Sequence, residues 1–350
     1  MNLNLYLGFL FSLCTALSYS ANINFEVPTW RNGAKAAHTI AHDDYCSGSV
    51  PGVENTALPI LNERGLTASI GLIAGACKDD DWSKLKKHLA KGHELFNHSL
   101  THVGMLEAGS LKPIAGWNNE KEIASAHQLV KDKLGYAMQF MAYPSDLATP
   151  EAKAYLLTQS DYLGARAAKH IYDGSNAGIN SANNIDPFFI KNDVYWHDGK
   201  WSLYKPAGGN MLIQHVNAAL ENGGWSYRTM HGVADGSWEA VPKDEYIAYA
   251  DYLQKKVASG ELWLAGPSEI IRYQATREHC PLVLIGNTLK LKQNNELCQR
   301  YSSAITVDLH IANELAGRFT QNHKPLPSKQ LANGKYRIQF NPILGDLYIN

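Results

Sequence analysis

Between Lys35 and about His279 the chain repeatedly alternates short apolar runs of extended character with amphipathic helical stretches. No other feature restricts the fold so strongly. Strands that alternate with helices run parallel, because a parallel neighbour needs a crossover, and such sheets are covered on both faces. The spacing predicts extended segments over 36–41, 67–74, 94–97, 139–143, 162–167, 225–231 and 262–265. Helices are expected over 54–64, 81–91, 118–134, 211–220 and 242–257, with another opened by Pro150 and a last one through Arg277. Gly65, Gly92, Gly135 and Gly260 close helices, as residues suited to a C-terminal cap. About seven strand–helix units imply an α/β domain whose ligands meet the carboxyl ends of the strands.

Two stretches depart from this pattern. Residues 169–206 are rich in Asn, Gly, Asp and Trp and read as a long loop, functional or mobile. After Cys280 the helical pattern gives way to strands over 282–292, 304–311 and 335–340 between Asn- and Pro-rich turns. The expected organisation is a main unit over 22–279 and a small β-rich appendage over 280–350. Ahead of both, Leu5 to Leu17 is apolar and too short to span a bilayer comfortably, and Ser18-Tyr19-Ser20-Ala21 offers small residues for cleavage. Residues 1–21 therefore read as a secretory signal peptide, with a signal anchor as the alternative. The mature chain is expected to be secreted or periplasmic and off the membrane.

The formal net charge is −1 and no basic run appears, which argues against a nucleic-acid partner. The 8 Trp and 18 Tyr suit sugar-ring stacking, although such counts read first as core and surface filling. Outside the leader stand Cys46, Cys77, Cys280 and Cys298, an even number in an exported chain, with three possible pairings. Cys46 and Cys77 each follow a predicted strand, and Cys280 and Cys298 are close in sequence, so Cys46–Cys77 and Cys280–Cys298 are the preferred pairs. No Cys-x-x-Cys spacing supports a thiolate metal site.

Chemistry concentrates at two strand ends. His98-Ser99-Leu100-Thr101-His102 sets two imidazoles four apart, and Asp43-Asp44 closes an earlier strand. Two His and one carboxylate form a three-ligand set that leaves positions open on a metal, and the second carboxylate supplies a base. The spacing predicts that both rings lie on one side of a helical turn. Ser99 stands where a His-Glu-x-x-His motif carries its base, so that motif is absent. His215 and His231 both read as histidines after apolar residues; the strand context of His231 and the preceding Gly223-Gly224-Trp225 favour it.

Gly92 to His102 resembles the His-[Ser/Thr]-x-x-His signature of the polysaccharide deacetylases, carbohydrate esterase family 4, also called the NodB homology domain. Ile40-Ala41-His42-Asp43-Asp44 resembles that family's Thr-Phe-Asp-Asp motif, with Ala41 and His42 in place of Thr and Phe. Further resemblances lie in Gln139 to Asp146, in Tyr162 to Ala167, and in the strand from Trp225 to His231. The resemblance spans roughly residues 35–275, in order. It implies a distorted (β/α)7-type barrel, to which the strand pattern after Cys280 adds the small C-terminal β-rich appendage. It also implies Zn2+, or another divalent transition metal, on Asp44, His98 and His102. Asp43 would be the base that takes a proton from the attacking water, and His231 the acid for the leaving amine. Tyr143 and Ser145 would meet substrate, with a backbone N–H near Ser145 facing the oxyanion. Many members carry an Arg in the third motif that fixes the base. Ala142 stands there, and Arg166 on the next strand is expected to reach Asp43 instead. No match is evident for the Asp that orients the catalytic His.

The activity so implied is a hydrolase removing N-acetyl groups from N-acetylglucosamine-containing saccharides and releasing acetate. The alternatives are an O-acetyl esterase and a non-catalytic carbohydrate-binding protein on the same fold. The Asn- and Trp-rich loop is expected to cap one end of the groove and to favour short substrates.

Overall fold

The computed structural model describes residues 23–168, 178–311 and 318–350. The expected signal peptide lies outside them. Ten described strands precede the helix that ends at His279: β1 (Ile23–Glu26), β2 (Ala36–Tyr45), β3 (Ser69–Leu72), β4 (Glu94–Asn97), β5 (Phe140–Met141), β6 (Gly164–Ala165), β7 (Ile179–Asn180), β8 (Asp193–Val194), β9 (Trp225–Met230) and β10 (Leu262–Leu264). Nine of them form one sheet, in the order β6-β5-β4-β3-β2-β9-β7, with β10 also beside β2 and β8 beside β9. All pairs are parallel except β7 with β9. The result is the expected barrel-like curl with helices outside.

Side-chain parity along the strands organises the barrel. Successive strand residues point to opposite faces. Ala37 and Ala41 of β2 face inward with Phe96, Phe140, Ala142, Trp225 and Tyr227. Ala36 and Ile40 face outward, into a second apolar layer that includes Leu85, Leu212, Val216, Tyr246, Tyr249 and Leu253 of the helices Asp79–Ala90, Met211–Asn222 and Lys243–Ala258. His38 and His42 share the outward phase and bond Tyr249 and Tyr246 of the last of these helices. Small inward residues on β2 leave room for aromatic ones on β4, β5 and β9, so the interior is filled.

The stretch expected to be a long loop does something else in its second half. Pro187 and Ile190 hydrogen-bond to Ala165 and Ala167 beside β6, while β8 pairs with β9 at the other end of the curl. Residues 187–194 thus bridge the two ends of the sheet. Gly164 permits this, since a Cβ there would meet the Pro187 carbonyl oxygen at 2.4 Å.

Beyond the helix Pro267–His279 lie β11 (Leu282–Ile285), β12 (Thr288–Leu291), β13 (Ile305–Ile311), β14 (Phe319–Gln321), β15 (Lys324–Pro325), β16 (Ser328–Ala332), β17 (Lys335–Phe340) and β18 (Leu347–Ile349). They form two antiparallel sheets, β11-β12-β18-β14-β15 and β1-β13-β17-β16. The run 282–292, read as one strand, is a hairpin that turns at Gly286 with φ 57°. β1 pairs with β13, so the chain's first described strand joins the C-terminal sheet. Val307, Leu309, Phe319, Ile338 and Leu347 pack together and against Tyr273 of the preceding helix, which seats this β-rich region on the main unit. Disulfides join Cys46 to Cys77 and Cys280 to Cys298. Among the described residues no helix is long and apolar enough to cross a membrane.

Candidate active site

Parity also selects the residues at the barrel mouth. Continuing the inward phase past Ala41 gives Asp43; past Phe96 it gives His98; past Gly164, Arg166; past Tyr227, Thr229 and His231. All five line one cavity of about 330 Å³ at the carboxyl ends of the strands. Asp44 is out of phase and would point to the helices. A register shift between His42 and Tyr45, with φ 61° at Asp44, turns it back into the cavity. Asp tolerates that left-handed conformation better than most residues.

Tyr143 fails the same parity. It shares the phase of Met141, is 2% exposed and packs with Met105, Ile123, Met141 and Tyr162. Its expected place at the substrate is corrected: it is a core residue and does not line the cavity. Ser145, two residues on, does line it, on a turn with φ 57°.

The expected helical turn over 98–102 is also absent. Ser99 and His102 have φ of 71° and 60°, which no helix accommodates. The segment is an irregular loop pinned at each step. Asn97 Oδ1 accepts from the Ser99 N–H at 2.7 Å, and Ser99 Oγ accepts from the His102 N–H at 2.8 Å. The buried Glu122 accepts from the Thr101 N–H at 2.8 Å. These bonds bring the two rings together: the Nε2 atoms of His98 and His102 stand 3.2 Å apart.

Asp44 Oδ1 lies 3.4 Å from each of these nitrogens. The donor set suits a divalent ion. Four-coordinate zinc with bonds of about 2.0–2.1 Å holds its ligand atoms roughly 3.3 Å from one another. His98 Nδ1–H donates to the Ala142 carbonyl at 2.8 Å, which leaves Nε2 as the lone-pair nitrogen. Among the described residues, Asp44, His98 and His102 are the group of His, Cys, Asp or Glu that could hold a metal. Burial and the neighbouring His98 push His102 down to about 4, so its ring is neutral near pH 7.

Asp43 sits beside this trio in a different environment. It is 2% exposed, and Arg166 Nη2 donates to its Oδ2 at 2.7 Å. The contact expected between Arg166 and Asp43 is therefore present. Burial alone would raise the Asp43 carboxyl; the Arg166 guanidinium outweighs it and holds the group below the usual range. Arg166 is itself held by a carboxylate that sequence reading missed. Its Nε donates to Asp146 Oδ1 at 2.5 Å, and Asn192 Nδ2 donates to Asp146 Oδ2 and to Thr229 Oγ1, each at 3.1 Å. Asp146 directly follows Ser145, so its place in the third motif was visible, but its partner was not. Asn192 lies on the bridging segment, which no local pattern marks.

His231 closes the cavity opposite. Its Nε2 is 3.6 Å from Asp44 Oδ2, and its Nδ1 is buried with no hydrogen-bond partner among the described residues. Burial lowers its pKa, against the pull of Asp43 and Asp44. His215, its rival, lies on the helix Met211–Asn222, fully buried against Tyr204 and away from the cavity. Two tryptophans absent from the sequence-derived site, Trp196 and Trp238, complete the wall.

Residues 33–162 match the family model described as polysaccharide deacetylase. Over that segment the chain is similar to the polysaccharide deacetylases. No curated protein sequence matches it. Among solved structures, a probable polysaccharide deacetylase from Pseudomonas aeruginosa superposes with a TM-score of 0.50 at 12% identity, over 73% of this chain and 95% of that one. This likeness shows the shared fold. Peptidoglycan deacetylase PdaC from Bacillus subtilis matches with a TM-score of 0.42 and 15% identity, over 72% of this chain and 97% of that one. A family 4 acetyl xylan esterase from Clostridium thermocellum, solved with a cobalt ion, matches at 0.41 and 14%, over 67% and 89%. The matched segment holds Asp43, Asp44, His98, His102 and Asp146, while Arg166, Asn192 and His231 come from beyond residue 162.

Proposed function

We propose that this protein is a metal-dependent hydrolase that removes N-acetyl groups from N-acetylglucosamine-containing saccharides and releases acetate. The observation that carries the reading is the donor triangle of Asp44, His98 and His102, with sides of 3.2–3.4 Å, beside a second carboxylate held by Arg166. A divalent transition ion bound by that triangle, zinc foremost, supplies a Lewis acid for the acetyl carbonyl and lowers the pKa of water.

The chain's own groups divide the remaining work. Asp43, ionised by Arg166, accepts the proton of the attacking water at a carboxylate oxygen. The turn at Ser145 faces the same cavity, and a backbone N–H there is the donor for the oxyanion. His231 Nε2, on the opposite wall, hands a proton to the departing amine, so that acetate and a free amino sugar leave. Arg166 acts through Asp43 as a positioning residue, and Asp146 with Asn192 fixes Arg166. The supporting argument is convergence: residues from four strand ends, in one inward phase save for the bulged Asp44, meet in one cavity.

Acetate release should be followed with N-acetylchitotetraose, acetylated xylotetraose and peptidoglycan fragments, with metal content measured on the same preparation. Metal-dependent release from the chitin oligomer supports the reading. Release from the xylan oligomer alone makes the protein an O-acetyl esterase. Glycan binding without any acetate makes it a non-catalytic binding protein.

A further inference from the structure

One rim of the cavity carries an apolar surface that the chemistry above does not use. Trp238 is 46% exposed although it stands at the mouth of a buried polar site. Its ring meets His231 edge to face at 4.8 Å between centroids and Trp196 at 4.7 Å, and Trp196 in turn meets Trp201 at 5.5 Å. A loose surface indole would need no support, but this one is braced. Ser237 Oγ accepts from the Gly232 N–H at 2.9 Å and donates to Asp235 Oδ1 at 2.6 Å. Asp235 Oδ2 accepts from the Gly52 N–H at 2.7 Å, which ties the turn to the short helical segment Val50–Gly52 after β2. Glu239 accepts from the backbone N–H of His197 at 2.7 Å, which joins the turn to the segment that carries Trp196. A Cβ on Gly232 would meet Asp235 Oδ1 at 2.2 Å, so a larger residue there would push the Asp235 carboxylate out of its bonds.

The opposite rim is built differently. A more open groove continues past Asp44 and His102 along Ser47, Gly75, Leu100 and Thr101, with no aromatic ring. The two rims therefore hold a ligand unequally. A rigid, half-exposed indole next to polar groups suits a ligand with one apolar face and a polar edge. A β-linked pyranose is such a ligand: its axial C–H bonds form a flat apolar face and its hydroxyls point outward.

We propose that Trp238, backed by Trp196 and Trp201, is a sugar-binding subsite that stacks the pyranose ring neighbouring the one under attack. The glycan is held on the His231 side and runs past the Asp44–His102 side with weaker contacts. This rests on the deacetylase reading for its substrate class, and its test is separable from that reading.

The probe is N-acetylchitotetraose, titrated into the full protein and followed by tryptophan fluorescence, first in chelator, where no turnover occurs, and then by initial rates. Trp238→Ala is expected to weaken binding and raise KM about five- to tenfold, with a smaller change in kcat. Trp238→Tyr, which keeps a stacking ring, should recover most of that loss. Binding unchanged in Trp238→Ala while kcat falls would overturn the subsite, because the indole would then act only through His231. Loss of binding in both variants alike would also overturn it. Ring-dependent binding without acetate release sustains the subsite while the deacetylase reading fails. Acetate release by a protein whose binding ignores Trp238 does the reverse.

Discussion

Asp43 and Asp44 are neighbours in the chain, yet they belong to two regions built on opposite principles. The region behind Asp43 is closed upon itself. Arg166 lies between two buried carboxylates and Asn192 and Thr229 join them, which leaves Asp43 Oδ1 without a hydrogen-bond partner among the described residues. The region in front of Asp44 is left open. Two imidazole nitrogens and a carboxylate oxygen converge, and Asp44 Oδ1 has no hydrogen-bond partner among the described residues. The closed region supplies position and charge; the open one supplies ligand atoms. A carboxylate that must stay ionised and still needs a counter-charge from the protein, while one that awaits a cation needs its nearest bonds left unmade.

The largest effect should come from opening the wrong side. Asp44→Asn keeps the shape and tolerates the left-handed backbone but removes an anionic ligand. Activity should fall by at least about a thousandfold and bound metal should drop, with folding stability almost unchanged. Acetate rates, elemental analysis and a urea melt on one preparation check all three parts; full metal content with full activity would break the contrast.

Arg166→Met reverses the pattern. It leaves Asp43 and Asp146 buried without their counter-charge, so stability should drop by about 3–5 kcal/mol alongside activity. An equilibrium urea curve with an unshifted midpoint would show that the closed region does not depend on its cation.

Asp146→Asn is gentler, because an amide oxygen still accepts from Arg166 and the buried trio loses its net negative charge. The cost should be about 1 kcal/mol. The guanidinium, no longer shared, should hold Asp43 lower still, so the acid limb of kcat/KM should move to lower pH. A limb that stays in place or moves to higher pH would remove Asp146 from the account.

A third region, outside the barrel, provides a control. Burial, then Arg228, pushes His38 down to about 3, and burial, then His88, pushes His93 down to about 4. Both rings are neutral when folded and charge more readily when unfolded. Their contribution is therefore complete above about pH 6.5 and is lost as pH falls through about 4 and then about 3. His38→Gln should flatten the stability curve in that window without moving the activity limbs set by Asp43. A curve as steep as that of the parent would assign the acid sensitivity elsewhere.

How much of this was readable in advance follows parity and distance. The strand–helix alternation, the strand-end position of the acids and histidines, and the reach of Arg166 to Asp43 all rest on local period and on which end of a strand a residue occupies. The misreadings were of another kind. Tyr143 lay one residue out of phase, a slip that counting from Ala142 would have exposed. The helical turn at 98–102 assumed ordinary dihedrals where Ser99 and His102 take positive φ. Asn192 and Trp238 were missed because they stand on connections, where no period announces which way a side chain points.

By itself the amino-acid order determined the barrel's strands and helices, the inward phase of Asp43, His98, Arg166 and His231, and cysteine positions compatible with both disulfides. Those are consequences of hydrophobic period and chain stereochemistry, which act over a few residues. Only the tertiary structure decided that Asp44 turns back at a bulge, that residues 187–194 bridge the curl, and that Asp146 and Asn192 fix Arg166. These depend on pairings between residues far apart in the chain, whose energies are set by burial and by the partners each polar group finds once the sheet has curled.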